Sequence, residues 1–181
     1  FLSDLPVDVF LRTHAGIRAS DPLHVADLVG ETLDFANQLT GEPIDRASRM
    51  TELSGGQTRA LLIADATVIC DTPIVLLDEV ENAGINRSRA LELLRQRRKI
   101  FVFVTHDPRI ALLSDFRIVM RNGGITQVIR TESAERAFGV TVTRIDDLLC
   151  RLRETIRLGG RLTSADFEGA GLAGTAGEVL L

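Results

Sequence analysis

The chain has 181 residues, 45% of them hydrophobic and 25% charged, with a formal net charge of −4. That balance suits a folded chain with its own core and excludes a disordered polymer; the acidic excess gives no electrostatic footprint for nucleic acid. No apolar run approaches the roughly 20 residues that span a bilayer. Nothing near Phe1 has the pattern of a secretion signal, so a cytoplasmic protein is expected. Cys70 and Cys150 are far apart in sequence and lack a metal-ligand spacing; they read as reduced thiols in the core or on a helix face.

Residues 1–18 alternate apolar and polar positions, broken at Pro6, and residues 9–11 could open a short helix without a firm assignment. Asp21-Pro22 is a helix start, with Asp21 as N-cap and Pro22 in the first turn. Val25, Leu28, Val29, Leu33 and Ala36 follow at helical spacing, and Gly41 with Pro43 ends the element. His14 and His24 stand alone and read as surface or core polar residues. Leu53-Ser54-Gly55-Gly56-Gln57 is a polar, glycine-rich turn into a mostly apolar helix over 58–69. The N–H groups at such a helix start can face an anion, and Ser54 adds a hydroxyl. After the break at Asp71-Thr72-Pro73, residues 74–77 are apolar and end in Asp78 and Glu79, as expected of a buried parallel strand delivering carboxylates at its C-terminal edge.

A helix over 87–97 and an apolar strand over 100–104 lead to Thr105-His106-Asp107, where Asp107-Pro108 signals a short helix over 108–113. Residues 117–121 and 125–130 flank Asn122-Gly123-Gly124, a hairpin with a type I′ turn. Beyond it, 132–138 has helical character. Thr143 is expected to cap a separate helix with a stripe of Ile145, Leu148, Leu149, Leu152 and Ile156, ended by Gly159-Gly160. The glycine- and alanine-rich stretch 161–181 is expected to be a mobile tail. Taken singly, each motif also fits a plain helix cap, a solvated pair of acids and a core histidine.

In this order and spacing, Leu53-Ser54-Gly55-Gly56-Gln57, Ile74-Val75-Leu76-Leu77-Asp78-Glu79 and His106 resemble the ATP-binding cassette (ABC) ATPase family, namely its signature motif, its Walker B strand and its switch histidine. The resemblance is strong over 51–130, weak over 1–41 and absent from Thr131 on. It implies an α/β fold: a partial P-loop NTPase (RecA-like) core, with a remnant of the ABC helical subdomain and a C-terminal helical extension. The implied domains are 1–52, 53–130 and 131–181. It also implies ATP and Mg²⁺ as ligands, with Asp78 holding the metal, Glu79 as catalytic base and His106 on the γ-phosphate. Ser54, Gly55, Gly56 and Gln57 would touch nucleotide held mainly by a second cassette, in a head-to-tail dimer of identical or different ATPase subunits. A transmembrane permease is a further implied partner, which would place the protein peripherally at the inner face of the membrane.

Two departures from the family pattern stand out. No Gly-x-x-x-x-Gly-Lys-Ser/Thr loop is present, and Lys99 is the one lysine of the chain. The expectation is therefore an N-terminally truncated piece of an ATPase, inactive alone and active in the full-length protein. Second, Val80-Glu81-Asn82-Ala83-Gly84-Ile85 stands where the family has its D-loop, with Ile85 at the position of the loop's aspartate. That change leaves open a soluble, non-transport ABC-class ATPase (acting on DNA, ribosomes or metalloenzyme assembly) and a non-catalytic cassette module.

Overall fold

The computed structural model describes residues 4–78, 85, 87–163 and 166. Its contacts divide the chain into two compact units, Phe1–His106 and Asp107–Leu181. This division by packing differs from the division by motif, which placed boundaries after residues 52 and 130. Most of the stretch 161–181, and residues 79–84 and 86, lie outside the described residues.

The first unit opens with three helices. α1 (Val7–Arg18) starts directly after Pro6, and its stripe of Val7, Leu11 and Ala15 is buried. The expected short element is thus a full helix. Its apolar positions recur every four residues, a period that the polar residues between them disguise as alternation. α2 (Pro22–Asn37) opens as expected: the Asp21 carboxylate accepts from the N–H groups of Leu23 and His24. α3 (Gly55–Val68) packs against α2 and buries Ala60, Leu61, Ala64 and Val68.

β1 (Ile74–Asp78) then pairs in parallel with β2 (Ile100–Val104), the crossover containing α4 (Arg87–Arg95). Parallel pairing is as expected, but burial on both faces is not. Val75 and Leu77 are buried, whereas Ile74 is 52% and Leu76 75% exposed. Their register partners Ile100 and Val102 are exposed as well. Among the described residues this sheet has two strands, and side chains on one of its faces lack cover.

In the second unit, α5 (Pro108–Leu113) is followed by the antiparallel pair β3 (Phe116–Arg121) and β4 (Gly124–Arg130). Asn122 and Gly123 have φ of 49° and 77°, the left-handed pair that a type I′ turn requires. A Cβ at Gly123 would meet no atom within 4 Å, so the backbone, not space, demands glycine there. Gly123→Ala should cost about 1–2 kcal/mol of stability; a urea melt checks it, and an unchanged midpoint would remove the turn from the account.

α6 (Ser133–Arg157) is one helix of 25 residues, not two. The expected break near Thr143 is absent because Gly139 packs against Leu112 of α5. A Cβ at Gly139 would stand 3.4 Å from that side chain, and the Thr143 hydroxyl bonds back to the Gly139 carbonyl inside the helix. Of the expected apolar stripe, Leu148 is buried while Ile145, Leu149 and Ile156 stay exposed. Gly159, at φ 77°, ends the helix as expected.

The joint between α5 and α6 is polar at its centre. Arg109, 5% exposed, holds Asp107 at 3.1 Å and Asp146 at 2.7 Å, and the Asp107 carboxylate also accepts from the Arg109 N–H.

Candidate functional site

Two of the three motifs share one sheet edge. Asp78 is the last residue of β1 and stands in register with Val104, the last residue of β2; two residues further along the chain comes His106. Both Asp78 and His106 are exposed. A parallel pair therefore delivers a carboxylate and an imidazole past the same C-terminal edge, the place where open α/β sheets bind ligands. Glu79 lies outside the described residues.

The third motif forms the start of α3. Ser54 is the N-cap: its Oγ accepts from the Gln57 N–H at 3.2 Å, while Gln57 Oε1 accepts from the Ser54 N–H at 3.0 Å. This reciprocal pair is a capping box. Gln57 Nε2 also donates to the carbonyls of Glu42 and Pro43, which fixes the approach of the preceding loop. With the N–H groups of Ser54 and Gln57 satisfied, those of Gly55 and Gly56 have no hydrogen-bond partner among the described residues. Ser54 uses a lone pair in the cap, so its own proton stays available to donate. Space is open too, since a Cβ at Gly55 would meet nothing within 4 Å. An anion at such a helix start gains roughly 1–2 kcal/mol, a factor of about 5–30. This corner can therefore add to a phosphate site but cannot make one alone.

The chain is similar to several characterised and uncharacterised proteins. Over 166 residues, 92% of this chain and 62% of the relative, it is 48% identical to an uncharacterized ABC transporter ATP-binding protein of Methanocaldococcus jannaschii. The chain belongs to the ABC transporter ATP-binding protein family. Within that family it is 33% identical over 112 residues to a spermidine/putrescine import ATP-binding protein of Borrelia garinii, covering 58% of this chain and 32% of that one. It is also 31% identical over 127 residues to a macrolide export ATP-binding/permease protein of Bradyrhizobium diazoefficiens, covering 62% of this chain and 19% of that one. A solved ATP-binding cassette of an ABC transporter, in its ADP conformation, superposes with a TM-score of 0.46 at 24% identity, covering 75% of this chain and 61% of the other. No protein-family model matches the chain. The chain spans 62% of the archaeal relative's length and less of the two bacterial ones.

The residues present fit the ligands that an ABC cassette implies. Asp78 offers a hard oxygen donor of the kind Mg²⁺ takes. The open start of α3 offers N–H and O–H donors of the kind phosphate oxygens take. Among the described residues no helix is long and apolar enough to cross a membrane.

One cluster escaped sequence reasoning. His14, which reads as solitary in the sequence, places Nδ1 2.7 Å from Asp65 of α3, and Cys70 lies near its other ring nitrogen. The available signal was position: His14 falls one turn after Leu11 on the buried side of α1, and Asp65 interrupts the apolar face of α3.

Proposed function

We propose that this chain carries the signature, Walker B and switch-histidine portion of the ATP-binding subunit of an ABC transporter-like ATPase. In this reading the subunit hydrolyses ATP within a head-to-tail dimer. The observation that supports it most is that Asp78 and His106 emerge from the same end of one parallel strand pair, accompanied by a capped helix start with two unpartnered glycine N–H groups.

Mg²⁺, when bound, would supply positive charge against the phosphate group. Asp78 would hold that ion. Glu79 takes the proton of the attacking water, and His106 donates to a phosphoryl oxygen and keeps the water in line. Ser54, Gly55 and Gly56 donate to the phosphate of nucleotide held by a second cassette. Gln57 keeps their geometry through the capping box. The modest energy available at the start of α3 is in keeping with a contact that reports dimer closure more than it binds nucleotide. The partners are a second cassette subunit and a membrane permease, with the subunit at the cytoplasmic face. The relatives' printed cargoes, polyamines and macrolides, differ from each other and do not select one for this chain.

The test is Mg²⁺-dependent ATP binding and hydrolysis by the longest form of the protein that its gene encodes. Ser54→Arg should leave nucleotide binding to the monomer within about twofold and reduce hydrolysis by roughly 10²-fold or more, because closure around the second site is blocked. Hydrolysis at the parental rate in that variant would remove the α3 start from the site.

A further inference from the structure

The end of α3 remote from Ser54 meets α1 through three side chains of metal-ligating type. Asp65 lies within the last turn of α3, Cys70 just beyond it, and His14 reaches both from α1. His14 Nδ1 stands 2.7 and 2.8 Å from the two Asp65 oxygens, and Cys70 Sγ is 3.9 Å from His14 Nε2. One ligand atom from each of the three lies within 4.8 Å of the others. Asp65 is 7% exposed, while His14 and Cys70 are half-buried, so the cluster has one side open to solvent.

An ionised carboxylate only accepts hydrogen bonds, so the proton of a neutral His14 belongs on Nδ1. That leaves the Nε2 lone pair facing the thiol. A histidine held in this way by a carboxylate is the usual support of a metal-ligating imidazole. In a tetrahedral zinc site, bonds of about 2.0–2.1 Å to nitrogen and 2.3 Å to sulfur put the two donors about 3.6 Å apart. The 3.9 Å seen here is within a small rotation of either side chain.

Two other readings use less of this geometry. A nucleophilic Cys-His-Asp arrangement needs an activated thiolate, but burial pushes the Cys70 thiol up and the Asp65 charge adds to it. A helix-to-helix pin needs only His14 and Asp65 and gives no role to Nε2 or the sulfur. The neighbouring cations bond to backbone carbonyls, Arg18 to those of Val68 and Ile69 and Lys99 to those of Ala66 and Cys70, and their charges oppose the rise at the Cys70 thiol without reversing it.

We propose that His14 Nε2 and Cys70 Sγ bind a zinc-class divalent cation, with Asp65 holding His14 through Nδ1 and water completing the coordination shell. The thiol proton leaves to solvent on binding, so thiolate and carboxylate together balance the two positive charges. An imidazole and thiolate pair selects zinc-like metals over Mg²⁺. Two protein ligands are half the set of a structural zinc, which sets the expected dissociation constant at roughly 1–100 μM.

The experiment is a Co²⁺ titration of the chain, followed by thiolate-to-cobalt charge-transfer absorption. A band that saturates at one equivalent and is displaced by Zn²⁺ but not by Mg²⁺ is expected. Cys70→Ser should abolish it, Cys150→Ser should keep it, and Asp65→Asn should weaken binding about 10–100-fold. No band in the parent chain, or one that survives Cys70→Ser, overturns the proposal. A second measurement needs no variant: Zn²⁺ should slow alkylation of Cys70 by at least about tenfold while Cys150 reacts as before. Equal rates at Cys70 with and without Zn²⁺ also overturn it.

Discussion

Glu79→Gln, made in the longest form of the protein that the gene encodes, is expected to reduce ATP turnover about 10²–10⁴-fold, the range that general-base catalysis supplies. The glutamine side chain keeps the size of glutamate but cannot accept the proton of the attacking water. In the proposed reading Asp78, at the end of β1, keeps its part in holding Mg²⁺, so nucleotide affinity should change little. The ATP-bound dimer should then accumulate, since closure is no longer followed by hydrolysis. Turnover within about threefold of the parent would move the base elsewhere and remove Glu79 from the chemistry. Size-exclusion chromatography with ATP and Mg²⁺ gives the dimer, and phosphate release gives the rate.

Arg109→Ala should be the most damaging single change in the second unit, at about 3–5 kcal/mol. Arg109 is 5% exposed and sits between Asp107 of the α5 N-cap and Asp146 of α6. Its removal takes away the buried guanidinium that bonds the 7% exposed Asp107 carboxylate, which costs more than the loss of a surface pair. Replacing Asp146 by Asn should cost less, since the Asp107 contact survives. Chemical denaturation followed by far-UV circular dichroism checks both. A loss below about 1 kcal/mol for Arg109→Ala would mean that water reaches Asp107 and that the joint is effectively a surface one.

Much of the local structure was legible because it is encoded in short, chemically distinctive stretches. Asp21-Pro22, Asn122-Gly123 and Gly159 each impose one backbone solution, and each is found as expected. Ser54 and Gln57 are three residues apart, which is enough to specify a helix start, although the capping box they form was not anticipated. What escaped the sequence depends on contacts made across the fold. The separate helix expected from Thr143 proves continuous with 133–142, where Gly139 packs beside Leu112. Arg109 received no role from the sequence, because its partner Asp146 comes from far along the chain. His14, Asp65 and Cys70 have no spacing rule in common, because α1 and α3 bring them together. The apolar runs of β1 and β2 suggested cover on both faces, and run composition alone cannot say how many neighbours a strand has.

The exposed face of β1 and β2 has a practical outcome for handling the protein. Ile74, Leu76, Ile100, Val102 and Val104 form an apolar, mostly β-branched surface, with Asp78 the charged residue at its C-terminal end, on a sheet that, among the described residues, has two unpaired edges. Such a surface favours strand-to-strand self-association and stacking between chains as concentration rises. Purified chain should therefore show concentration-dependent light scattering and dye binding typical of clustered apolar surface. Charged replacements at Leu76 and Val102, which face out in register, should suppress both without unfolding the helices.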